Sequence, residues 1–211
     1  VFKIKYYTPT VEVDLCGHAT LASAKILFDE VGYTEETITF LTNDGEVTVT
    51  KKENGVLEMD FPQGHLTESK TDELLNEFVG EIPLYVGTDK IWCFVEVSSE
   101  ELVCSLEPNF ALLKKHPQKA FVIMAKATSN KYDVVSRFFG PSVGIDEDPV
   151  TGAAHCYLAT YWGNKLNQSK LRAYQASARG GHVECELIDN DRVLLRGTAI
   201  VMSEIIPKFS V

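Results

Sequence analysis

Val13-Asp14-Leu15-Cys16-Gly17-His18-Ala19-Thr20 in the first half, and Asp146-Glu147-Asp148-Pro149-Val150-Thr151-Gly152-Ala153-Ala154-His155 in the second, decide how the chain is read. Each sets ionisable groups and a glycine directly before a helical run that is apolar on nearly every side. After the first come Ala19, Leu21, Ala22, Ala24, Ile26, Leu27 and Phe28; after the second, Ala154, Tyr157, Leu158, Tyr161 and Trp162. Helices of this kind are expected inside a fold rather than on its surface. A helix start also carries unpaired N–H groups and partial positive charge, so it can hold an anion. Two such starts facing each other would clamp a small acid between two sets of proton-transfer groups.

Outward from the first motif, Phe2, Ile4 and Tyr6 alternate as a strand, and Thr8-Pro9-Thr10 reads as a turn or extended connector before a helix over 17–29. A meander follows over 37–42, 46–51 and 56–61. Its turns are Asn43-Asp44-Gly45 and Glu53-Asn54-Gly55, pairs that favour hairpins. Residues 62–70 read as loop, Thr71 as an N-cap, 91–97 as a strand and 109–115 as a short helix stopped at His116-Pro117. The second half repeats the order: strands at 120–125 and 132–139, a helix at 151–166, then strands at 171–177, 182–188 and 192–202. Strand, buried helix and meander therefore occur twice. The predicted class is α+β: two pseudo-symmetric lobes, each a curved β-sheet or barrel around a central helix, over residues 1–114 and 115–211.

With 211 residues, 45% apolar and 24% charged, the composition is that of a globular protein. A net charge of −10 argues against nucleic acid or an anionic membrane as partner. No apolar run approaches a membrane span and no signal-peptide pattern is present, so a cytoplasmic location is expected. The five cysteines lack C-x-x-C spacing, which points away from a disulfide framework or a zinc ribbon. The chain opens on Val1 and directly on a strand pattern; residues ahead of Val1 are expected in the full gene product, with the first lobe incomplete without them.

Cys16-Gly17-His18 is a candidate chemical centre, because a thiol at a helix start is activated and histidine titrates near neutrality. Asp148 is a candidate general acid/base. Thr151, Gly152 and Ala153 would offer backbone N–H groups to a carboxylate or oxyanion. The plainer alternatives stay open: an apolar Cys16, a backbone-bonded His18 and an Asp148 that caps a helix. His155-Cys156 reads as helix packing rather than a metal site, and no cofactor is expected. Arg179-Gly180-Gly181-His182 reads as a bulged glycine turn, with backbone lining a cleft as the alternative. Glu35-Glu36 and Glu100-Glu101 read as solvated surface.

Taken with Thr8-Pro9, Arg137-Phe138-Phe139 and Arg179-Gly180-Gly181-His182, the two motifs resemble the PhzF phenazine-biosynthesis-like family across essentially the whole chain. The resemblance implies the diaminopimelate-epimerase-like fold, with a cleft between lobes facing both helix starts. It implies a cofactor-free isomerase that moves a proton on a small carboxylic acid, and a homodimer. By position, Gly17 and His18 match substrate-contacting residues, Asp148 the family's second-motif acid, and Gly152 a backbone contact to the substrate carboxylate. Two departures stand out. Ala153 occupies a position where the family often has serine. The family's acid/base glutamate, in a Ser-Glu-Thr segment upstream of Thr-Pro, is not in these residues. The rival readings are a catalytically silent relative that binds a metabolite or protein, and a two-thiol racemase using Cys16.

Overall fold

Alternation puts one face of each meander strand inside. Ile38 and Phe40 of β4 (Thr37–Thr42), Val47 and Val49 of β5 (Gly45–Lys51), and Leu57, Met59 and Phe61 of β6 (Leu57–Pro62) are all buried. The computed structural model describes residues 1–8, 11–13, 15–43 and 45–205. The expected connector at Pro9-Thr10, and Asp14 and Asp44 of the expected motif and turn, fall outside the described residues. Ahead of β4, the single strand expected from alternation is broken into β1 (Phe2–Lys3) and β2 (Tyr6–Tyr7). β1 pairs parallel with β4, and β2 pairs with β3 (Glu12–Val13).

The second meander is β13 (Lys170–Gln175), β14 (Gly181–Ile188) and β15 (Arg192–Gly197), paired antiparallel in sequence. β15 then pairs antiparallel with β6, joining the two meanders edge to edge. Beyond β13 the sheet continues through β11 (Val134–Gly140), β10 (Ala120–Lys126), β9 (Trp92–Glu96), β8 (Tyr85–Asp89) and β7 (Thr67–Glu68), with β12 (Ile145–Asp148) on β11. Strand β9 pairs parallel with β10, so hydrogen bonding runs unbroken past residues 114–118. Among the described residues the fold is α+β, a large mixed sheet and the small β2–β3 pair packed with two long helices.

Those helices are α1 (Gly17–Asp29) and α5 (Gly152–Leu166). They share one core: Ala24 and Phe28 of α1 belong to one continuous apolar cluster with Ala154, Leu158, Ala159 and Trp162 of α5 and the inward residues of both meanders. α5 is buried along most of its circumference. α1 buries one side, through Gly17, Thr20, Ala24 and Phe28, and leaves Ile26 exposed. The all-round apolar pattern of α1 therefore overstates its burial, because periodicity reports composition and not what lies opposite each side.

A second core lies on the other face of β9–β11, under α2 (Glu73–Val79), α3 (Glu100–Ser105) and α4 (Phe110–Leu113). Strand β10 is covered on both sides: Ala120, Val122 and Met124 face the first core, while Phe121, Ile123 and Ala125 face the second. This explains its unbroken apolar run. The N-cap expected at Thr71 is Asp72, whose carboxylate accepts from Leu75 N at 2.8 Å. Glu100 and Glu101, read as solvated surface, form the first turn of α3; Glu100 accepts from both the N–H and the hydroxyl of Thr128. Strand β15 stops at Gly197, short of the expected Met202. No helix among the described residues is long and apolar enough to cross a membrane.

Candidate functional site

Gly17 and Gly152 are the first residues of α1 and α5, and the two helix starts touch there. A Cβ on Gly17 would lie 3.0 Å from the Gly152 Cα, and one on Gly152 would lie 3.1 Å from the Gly17 Cα. A side chain at either position would push the two backbones apart by a few tenths of an ångström.

The two long helices also begin differently from the three short ones. α2, α3 and α4 are capped by Asp72, Ser99 and Asn109, each accepting a backbone N–H at its helix start. The cap residues of α1 and α5, Cys16 and Thr151, make no side-chain capping bond, and neither first turn holds an acidic residue. Two partially positive helix ends are thus brought together with Asp148, outside both first turns, as the carboxylate beside them.

Around this junction the structure assembles the residues singled out from the sequence. His18 Nδ1 donates to Val150 O at 2.9 Å, which binds the first motif to the second across 132 positions of sequence. Its Nε2 lies 3.4 Å from Cys16 Sγ, and its Nδ1 lies 3.9 Å from Asp148 Oδ2. The Cys16 contact chiefly, with help from Asp148 and the Val150 carbonyl, raises the His18 pKa to about 9 against the opposing effect of burial. Asp148 is buried at the end of β12, and burial raises its pKa; the Thr151 hydroxyl, donating at 2.6 Å, and the nearby His18 pull the other way. The Asp148 carboxylate and the His18 ring thus lie 3.9 Å apart, each with its pKa raised from the ordinary value.

Thr151 turns its hydroxyl to Asp148, while its N–H is taken by Gln175. Ala153 follows Gly152 in the first turn of α5 and carries no polar group. His155 lies fully buried one turn further on. It donates from Nδ1 to Thr151 O at 2.8 Å, and burial lowers its pKa to about 4. Cys156 is buried and its thiol is pushed up to about 12. Among the described residues, no group of three His, Cys, Asp or Glu side chains is placed to hold a metal ion.

The glycine turn also belongs here. Ser177 donates to Pro149 O at 2.8 Å and accepts from Gly180 N at 3.1 Å. A Cβ on Gly181 would collide with Val150. The turn thus props the loop that follows Asp148. Its His182 faces elsewhere, stacked on Tyr174 and Tyr132. Arg137, whose role the sequence left open, forms a two-pronged ion pair with Glu147, beside Asp148, and donates to the Val103 and Leu106 carbonyls.

The residue the sequence reading missed is Gln175. Leu171, Ala173 and Gln175 occupy the inward-facing phase of β13, and Gln175 is 1% exposed. A glutamine in an apolar phase was the available signal, since buried polar groups are hydrogen-bonded for a reason.

Comparison with known proteins shows the family and the fold. Residues 1–205 match the phenazine biosynthesis-like (PhzC-PhzF) family profile. An uncharacterized isomerase of Halalkalibacterium halodurans is 43% identical over 205 residues, spanning 95% of this chain and 76% of the relative. The crystal structure of a PhzF-family protein from Enterococcus faecalis superposes with a TM-score of 0.88 at 37% identity, covering 95% of this chain and 76% of the other. A hydroxyproline epimerase of Agrobacterium vitis shares the fold at a TM-score of 0.56 and 12% identity, over 93% of this chain and 67% of its own.

Proposed function

The chain belongs to the phenazine biosynthesis-like family, and on that premise we propose that it is a cofactor-independent isomerase that moves a proton on a small carboxylic acid. The observation that carries this reading is the pair of uncapped helix starts meeting at Gly17 and Gly152 beside His18 and Asp148. The curated relatives of Halalkalibacterium halodurans and Pseudomonas aeruginosa are named isomerases, which supports the reaction class.

The substrate carboxylate sits at the two helix starts, where free N–H groups take the place of solvent. A carbon acid beside an unsaturated bond then loses a proton to the Asp148 carboxylate, and the C–H electron pair spreads into the conjugated system. The same proton, or one exchanged with solvent, returns to another carbon. The His18 imidazolium stabilises negative charge as it develops and relays protons toward Cys16. Binding by backbone N–H groups fixes orientation before the proton moves.

The test is solvent-deuterium incorporation, followed by NMR, into a panel of small unsaturated and hydroxylated carboxylic acids. Wild type is expected to label at least one of them, with D148N and H18N slower by about 100-fold or more while folded normally. Acids that bind yet never exchange would instead favour the silent metabolite-binding reading. Unchanged exchange in both variants would remove these residues from the mechanism.

A further inference from the structure

Gln175 Oε1 accepts the Thr151 N–H at 2.8 Å, and its Nε2 donates to Asp148 O at 2.7 Å. A backbone N–H can only donate and a backbone carbonyl can only accept, so these two bonds fix which end of the amide is which. The remaining Nε2 hydrogen points to Thr151 Oγ1 at 3.2 Å. Oγ1 thus receives a donor that cannot itself accept. Its own hydrogen must go elsewhere, and Asp148 Oδ2 lies 2.6 Å away.

We propose that Gln175 is a positioning residue that fixes the Thr151 hydroxyl as donor to Asp148 and so keeps that carboxylate charged and ready to accept a proton. The chain of polarity runs one way: amide N–H to hydroxyl, hydroxyl to carboxylate. The same amide bridges the last residue of β12 to the cap residue of α5, so it also sets the distance between the carboxylate and the helix start. Among the described residues, the ionisable group facing Asp148 from another element is His18 of α1; from the loop that follows β12 and from β13 it meets the neutral Thr151 and Gln175. The importance of Gln175 for turnover rests on the reading of Asp148 as the proton-transfer group. Its effect on Asp148 does not.

The experiment is a carboxyl-carbon NMR titration of Asp148 in aspartate-labelled protein without substrate, for wild type, T151V, T151S, Q175M and the double variant T151V/Q175M. Removing a hydrogen bond to the charged form is expected to raise the Asp148 midpoint by about one pH unit in T151V. T151S, which keeps the hydroxyl, is expected to titrate as wild type does. Q175M is expected to shift the midpoint in the same direction. In the double variant Q175M adds nothing to T151V, because Gln175 acts through the hydroxyl that T151V has removed. Additive shifts would overturn the proposal, as would an unmoved midpoint in Q175M. If Q175M does not fold, the threonine pair decides: equal midpoints in T151V and T151S would overturn the donor chain. Failure of every acid to exchange deuterium would refute the isomerase reading and leave these midpoints as they are.

Discussion

Gly152→Ala tests the contact on which the candidate site is built. The new methyl group would lie 3.1 Å from the Gly17 Cα, where ordinary contacts start near 3.4 Å, and backbone cannot swing aside as a side chain can. The helix starts must part by several tenths of an ångström or the core must absorb the strain. Overpacking of this kind costs about 1–3 kcal/mol. Better helix propensity returns up to about 1 kcal/mol. The net expectation is a loss of about 1–2 kcal/mol, a fall in Tm of about 3–6 °C for a chain of this size. Gly17→Ala faces the same wall from the other side, at 3.0 Å. Gly197→Ala is the control: its nearest neighbour, Leu21 Cδ1, is 3.6 Å away, an ordinary contact. That variant is expected within about 0.5 kcal/mol of wild type. Exchange activity in the Gly17 and Gly152 variants is expected to fall further than stability, because a misplacement approaching 1 Å can cost about 100-fold. Calorimetry and the deuterium assay, run side by side, check both parts. A Gly152→Ala protein that melts and turns over like Gly197→Ala would refute the argument that the two helix starts are in backbone contact.

The remaining expectations follow from the same geometry. His18 has a folded pKa of about 9 against an ordinary 6.5, so its contribution to stability is complete below pH 6.5 and is lost as pH rises through about 9. The ring is half exposed and partly screened, so the effect is modest. Tm against pH should nonetheless fall more steeply in wild type than in His18→Gln, and parallel curves would contradict this. Iodoacetamide on the native protein should label Cys16 and Cys104 but not the buried Cys93, Cys156 and Cys185; a small carboxylate should slow labelling at Cys16 alone, and equal protection of Cys104 would count against the anion site. Arg137→Met leaves Glu147 and two carbonyls without their guanidinium, and should destabilise by about 3 kcal/mol in urea unfolding, with Arg137→Lys a poor rescue; near-wild-type stability in the methionine variant would show the pair to be dispensable.

Local pattern made much of this protein legible. The helices over 17–29 and 151–166, and the meander strands of both halves, follow from apolar spacing and from turn residues such as Asn54 and Gly55, both in the left-handed region. Cys16, His18 and Asp148 could be named as candidates because titratable groups at a helix start carry a physical meaning wherever they occur. The sequence reading did not find β8, β12 or α3, which are short and owe their existence to neighbours. Strand length at β15 was overrun because an apolar run over 199–202 continues past the point where pairing with β6 ends at Gly197.

Tertiary structure alone decided the meetings. Nothing local in Gly17 says that its hydrogen faces Gly152, or in His18 that it reaches Val150. Gln175 shows as an anomaly in its strand but not as the group that orients Thr151 toward Asp148. Periodicity and capping depend on a few neighbouring residues and can be read along the chain. Contacts between residues more than a hundred positions apart depend on how the sheet curves and which edges join, and that is set by the packing of the whole core.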